Sequence, residues 1–430
     1  MEIAGRIWGF VVQIGWVDYS DSARQITLQI LDALKEHQAI DELGIGIVRD
    51  AFADKLFPAT STLLTRAKYF FLVPYALRDL ERAHDLEKTA RQLQREYDDT
   101  EKKLAIKLLK SSEVKEGIFG GRTLRADFSG TWVKRGPGVI YWASLRTLGF
   151  LKDARMGYSQ YFGAVRQMPC GVSQAVRVGK GEDDTGLADD VEAKASYWSI
   201  PNSEYRDWKR NLSIDLTQEE AVFFRERIIE NRPETLYSLI ADNSEIRAIA
   251  YDAAEQYAAG ESGIIVNPYH LFVEKAYSEL PPAIAELCKL GVDFSNFVYG
   301  CRIRYNSQIP SQAETANELW ADYAPRMRAY AESLDIDRIY EVLGMAGHVG
   351  SGLLYKFLKE ARDCMRNLDV DGLDEVVRLR EIRLKRGRAK IGRELSSNNE
   401  TWAGGALLSY RYDVGMRMIQ EIQSVGGFDA

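Results

Sequence analysis

Along most of this chain, apolar residues return every three or four positions and are followed by helix-stopping signals. That period matches one face of an α-helix, not the strict alternation of a half-buried strand. After Trp16-Val17-Asp18-Tyr19-Ser20, with Ser20 or Asp21 as the cap, Ile26, Ile30 and Leu34 form one apolar stripe. Leu216-Thr217-Gln218-Glu219-Glu220 reads as a capping box, with Thr217 as N-cap and Glu220 as its partner three residues on. Ala221, Phe224 and Ile228 then share one face of the helix that follows.

The same reasoning predicts helices over Asp41–Leu56, Leu63–Arg82 and Leu86–Leu109, with Pro74 kinking or breaking the second. Further helices fit Pro268–Leu280, Ala283–Leu290, Asn296–Tyr305, Ala313–Leu334, Arg338–Leu343, Ser351–Arg366, Leu373–Ile391 and Tyr410–Ser424. The fold class is therefore mainly α and multi-helical. Between Gly117 and Gly138 the pattern lapses into a loop or short hairpin with six glycines, and a helix opens near Pro137. Helix, basic glycine-containing loop and helix are compatible with a winged-helix-like unit in the N-terminal half. The acidic stretch GKGEDDTGLADD marks the best boundary. Residues 1–178 are expected to form an N-terminal helical domain, 179–205 a linker and 206–430 a helical C-terminal domain.

At 430 residues and 46% hydrophobic content, the chain has ample material for large cores. The net charge of −7 excludes a basic field over the whole protein, so any polyanion binding has to come from local patches. The apolar run from Ile3 to Val17 is interrupted by Arg6 and Gln13 and is too short to span a bilayer. It also lacks the basic start of a signal peptide. A buried strand or an extended segment is the expectation, with no membrane association. Cys170, Cys288, Cys301 and Cys364 form no CxxC pair, which points to reduced thiols and a cytoplasmic location. The four histidines are isolated from one another, so no metal or other cofactor is expected.

Two regions could grip phosphate. Residues 378–393 hold eight basic residues against one acid, Glu381: Arg378, Arg380, Arg383, Lys385, Arg386, Arg388, Lys390 and Arg393. Such a run can release counterions from a nucleic acid, and it can equally form a solvated helix face paired with acidic helices. The second region carries Arg122, Arg125, Lys134, Arg135, Arg146, Lys152, Arg155 and Arg166, interleaved with Phe119, Phe128, Trp132, Tyr141, Trp142, Tyr158, Tyr161 and Phe162. Cations with interleaved rings suit a single strand, and rings are also ordinary core filling. Asp190, Glu192 and Lys194 have the spacing of a magnesium-dependent nuclease site, but in a segment that reads as a linker. Gly44-Ile45-Gly46 and the glycines at 347, 350 and 352 lack the lysine of a phosphate-binding loop.

Several longer strings resemble a known family: Trp16-Val17-Asp18-Tyr19-Ser20, Asp41-Glu42-Leu43-Gly44-Ile45-Gly46, Leu56-Phe57-Pro58, Thr65-Arg66-Ala67-Lys68-Tyr69-Phe70-Phe71, and Ser409-Tyr410-Arg411-Tyr412. Together they are similar to an uncharacterised bacterial family of unknown function. The resemblance implies gene clusters of the anti-phage defence or DNA-modification kind, beside helicases and phospholipase-D-type nucleases. It carries no catalytic residues. The expectation is a non-enzymatic nucleic-acid-binding or scaffolding subunit, with DNA or RNA and a helicase or nuclease subunit as partners. A metal-dependent nuclease and a pure protein-interaction module are the alternatives.

Overall fold

The computed structural model describes residues 43–83, 87–124, 130–168, 195–260, 266–349, 352–391 and 406–426. The chain is mainly helical, as the apolar spacing predicts. Among the described residues the only β-pairings are two isolated antiparallel bridges, Leu124 with Gly130 and Leu151 with Trp198. The helix expected after Ser20 and the run from Ile3 to Val17 lie outside the described residues. So do residues 125–129, at the tip of the expected wing.

In the first half the helices are α1 (Gly46–Leu56), α2 (Tyr69–Arg82), α3 (Ala90–Ser111), α4 (Pro137–Thr147), α5 (Tyr158–Arg166) and α6 (Asn202–Asp207). Helix α2 is apolar on nearly every side and is buried accordingly, with α3 and α4 packed on it. It runs on through Pro74, where the sequence predicts a kink or break. Proline there removes a single hydrogen bond, and burial of the surrounding side chains offsets the loss.

The second half continues with α7 (Gln218–Asn231), α8 (Leu236–Asp242), α9 (Ser244–Ala258), α10 (Pro268–Ala276), α11 (Pro282–Ser307), α12 (Ala313–Tyr323), α13 (Met327–Ser333), α14 (Ile336–Val342), α15 (Leu353–Arg366), α16 (Val370–Lys385) and α17 (Tyr412–Gly426). Where the sequence suggests two helices, over Ala283–Leu290 and Asn296–Tyr305, one long α11 is found, packed against α1, α10, α12, α13 and α16. Conversely, the helix expected over Ala313–Leu334 is broken by a 3-10 turn at Ala324–Arg326. Pro325 has no N–H to continue the ladder. Helix α17 returns to pack on α7, α8 and α10.

Buried side chains from Leu43 to Ile422 belong to one hydrophobic cluster. The linker expected over 179–205 lies outside the described residues up to Lys194. From 195 onward the chain is packed, with Trp198 and Tyr205 in the core. Contacts cross the expected boundary. Lys68, at the start of α2, donates to Glu220 of α7 at 2.6 Å, and both side chains are buried. Tyr75 donates to the other oxygen of the same carboxylate. The capping box is present as read, and its glutamate thus also anchors α7 to α2.

Candidate nucleic-acid interface

The run Arg378–Arg393 begins as the last turns of α16 and does not stay helical. Helix α16 ends at Lys385, where a helix is expected to reach Ile391. Arg386 takes φ +51° and ψ −123°, a conformation glycine adopts far more readily, and a 3-10 turn follows over Arg386–Arg388. The chain then doubles back. The buried carboxylate of Glu381 accepts the backbone N–H groups of Lys390 and Ile391 at 2.8 and 3.0 Å, and the Tyr305 hydroxyl at 2.7 Å. The single acid in the basic run is therefore the clasp that holds its tail against its own helix.

This turn divides the eight cations by role. Arg380 is buried: its Nε donates to the Leu43 carbonyl at 2.9 Å, and its guanidinium lies 5.4 Å from the Phe357 ring centre. Gly44, at φ +64°, lets the backbone come this close, since a Cβ there would meet Arg380 and Leu384. Gly44, one of the glycines that loosely suggest a phosphate loop, thus serves packing. Arg378 grips Glu375 through two hydrogen bonds of 2.8 and 2.7 Å. Lys390 is half-buried beneath the turn. Arg383 and Arg386 are exposed, and Lys385 is half-exposed between them. Arg388 belongs to the 3-10 turn, and Arg393 lies outside the described residues. Arg378 forms an ion pair with Glu375, and Arg383, Lys385 and Arg386 lie together at one helix end, where cations complement the helix dipole.

The second basic region is arranged differently. Arg122 and Lys134 are exposed and Arg135 is half-buried, while Arg125 and Phe128 lie outside the described residues. Tyr141, Trp142, Tyr158, Tyr161 and Phe162 are buried in the core, and Trp132 is half-buried. Trp142 packs edge-on to Tyr158, Tyr161 and Trp198. The Tyr141 hydroxyl accepts the Thr65 N–H and donates to the Arg66 carbonyl, at 2.8 and 2.9 Å. These rings hold α2, α4 and α5 together and present no face on which a base could stack.

Asp190, Glu192 and Lys194 lie outside the described residues, as do Cys170 and residues 350–351 of the glycine string. Among the described residues, no group of three His, Cys, Asp or Glu side chains is placed to hold a metal ion. Cys288 and Cys301 are deeply buried, which pushes both thiols up, Cys288 to about 12. Buried thiols of this kind are poor nucleophiles. Among the described residues, no helix is long and apolar enough to cross a membrane.

A family model described as a family of unknown function (DUF6361) matches residues 11–259. No curated protein and no solved structure matches the chain.

Proposed function

The chain belongs to the family of unknown function DUF6361, and on that premise we propose that it is a non-enzymatic nucleic-acid-binding or scaffolding subunit that grips phosphate with the turn at 383–386. One observation carries this reading. In a chain of net charge −7, Arg383, Lys385 and Arg386 sit within four residues at a helix end, exposed or half-exposed, and the folded-back tail fixes their turn. Three cations held on a reversing turn can follow consecutive phosphates without reading bases. Binding of this kind is strong at low salt, weak at high salt and indifferent to sequence. A gel shift with duplex DNA and duplex RNA at 50 and 200 mM salt tests it. Retention at low salt and release at high salt is the expected result, and no shift with either duplex at low salt contradicts it.

The setting proposed is a bacterial anti-phage defence or DNA-modification system, in which the chain acts beside a helicase or nuclease. Its support is the motif resemblance. Co-purification with the products of adjacent genes tests it.

A second reading, a protein-interaction module, draws support from Ile382 and Leu384, which are 38% and 42% exposed on the same turns. Aliphatic side chains between arginines suit a protein surface as well as a phosphate backbone. Complex formation that survives high salt favours this alternative.

A further inference from the structure

We propose that the last three turns of α3 form a second surface for the phosphate backbone of a duplex nucleic acid, apart from the turn at 383–386. The proposal rests on the nucleic-acid reading for its class of partner only, since none of its residues belongs to that turn. Helix α3 packs on α2 and α5, whereas α16 packs on α11 and α15.

The charge of α3 changes along its length. Its first half mixes both signs, with Arg91 and Arg95 among Glu96, Asp98, Asp99 and Glu101. From Lys102 to Ser112 there are four lysines and no acid. Lys103, Lys107 and Lys110 fall four and three residues apart, so they share one helix face, and all three are exposed. Like charges at this spacing oppose helix formation. Lys103 and Lys107 have no ion pair among the described residues to relieve it, although Asp99 is exposed one turn before Lys103 and Glu113 and Glu116 follow the helix end. The helix dipole favours a cation only in the last turn, which holds Lys110. It gives no reason for Lys103 and Lys107.

The loop that follows lies back along the same turns. Gly121 sits against Leu109, and Pro137 closes a small cavity with Leu104 and Leu108. That path brings Arg122 and Lys134 to the flanks of the stripe, both exposed and without an ion pair among the described residues.

The shape of the stripe specifies the partner. From Lys103 to Lys110 the helix rises about 10 Å. One strand of a duplex presents a phosphate about every 3.4 Å of its axis, so three lysines on a rigid rod meet about three phosphates. No large hydrophobic side chain is exposed between Lys102 and Ser111, so the stripe lacks the residues that enter a lipid interface or anchor a protein contact. The neighbouring rings of Tyr97, Tyr141 and Trp142 are buried, which leaves unpaired bases nothing there to stack on. The surface therefore selects the backbone of a paired duplex and reads no sequence.

Fluorescence anisotropy of a labelled 20-base-pair duplex over a salt series tests this with the triple variant Lys103→Gln, Lys107→Gln, Lys110→Gln of the full chain. The variant is made both in the parent and in the background Arg383→Glu, Lys385→Glu, Arg386→Glu. In the parent background, binding at 50 mM salt is expected to weaken at least tenfold, and the slope of log K against log salt to become shallower by about 3. The charge-keeping variant Lys103→Arg, Lys107→Arg, Lys110→Arg is expected to bind as the parent does, which separates lost charge from a damaged fold. Equal slope and affinity in the parent and the glutamine variant overturn the proposal. So does retention on phosphatidylserine vesicles without duplex binding, which assigns the stripe to a lipid surface. If the background variant binds as the parent does while the glutamine variant weakens, the reading of the 383–386 turn fails and this one stands.

Discussion

Glu101, midway along α3, accepts the backbone N–H of Gly138 in the first turn of α4 at 2.5 Å. A side chain from one helix thus takes up a donor that the other helix leaves unsatisfied at its start. Gly136, the N-cap of α4, has no side chain that could keep the two apart. The carboxyl is buried, and burial pushes its pKa to about 8, against the Gly138 N–H and Tyr97, which favour the charged form. The folded value lies above the unfolded one, so the protonated form is the one the fold prefers. Its stabilisation is complete below the ordinary glutamate value and is lost as pH rises toward 8, at a slope of up to about 1.4 kcal/mol per pH unit. Glu101→Gln keeps the acceptor and removes the titration. Melting temperatures from pH 5 to 9 are expected to fall less steeply with pH in this variant, and an unchanged slope assigns the pH dependence to other groups.

His270 titrates in the opposite sense. Its folded pKa, about 4, lies below the ordinary 6.5, because burial opposes the charge. The neutral ring is preferred, so stability is full above pH 6.5 and is lost as pH falls from there toward 4. His270→Phe removes a proton-binding site of the unfolded chain. Urea midpoints at pH 4.5 and 7.5 are expected to lie closer together in this variant than in the parent protein.

Lys68 and Glu220 form a buried pair whose members cannot be removed singly without penalty. Lys68→Met leaves a buried carboxylate with only the Tyr75 hydroxyl and the Thr217 N–H. A loss of about 3–5 kcal/mol in urea unfolding is expected. Adding Glu220→Gln, which keeps the cap and removes the charge, is expected to recover much of it. Additive losses in the double variant contradict the coupling.

Arg386 sits at φ +51° and ψ −123°, where a side chain is strained. Arg386→Gly is expected to stabilise the fold by about 1 kcal/mol and to lower the salt slope of duplex binding by about 1. The two effects run in opposite directions, which separates a binding role from a folding role. A thermal melt and a salt series on the one variant read both.

The helical class was legible because apolar spacing and caps agree: Thr217, Glu220, Ala221, Phe224 and Ile228 all stand where the pattern puts them. Helix α9 stands outside the helices that the apolar pattern predicts, although Asn243 caps it and Ile246, Ala250 and Ala253 repeat at helical spacing. Its many alanines weaken the apolar contrast. Arg380 also had a signal, since Leu373, Val377, Arg380 and Glu381 continue one buried face of α16. The dense charge along 378–393 masks that periodicity. The turn at Arg386 had none, because no glycine stands at the residue that takes the left-handed φ. The pairing of Lys68 with Glu220 joins residues distant in sequence and lies beyond any local pattern.

The claim that the 383–386 turn grips phosphate is tested most directly by fluorescence anisotropy of a labelled 20-base-pair duplex over 50–300 mM salt. The parent protein is compared with the triple variant Arg383→Glu, Lys385→Glu, Arg386→Glu, with folding checked by its melting temperature. The predicted result is a linear fall of log K with log salt in the parent, and a slope shallower by about 3 in the variant, one for each cation that no longer neutralises a phosphate. Identical slopes and affinities for the two proteins would contradict it.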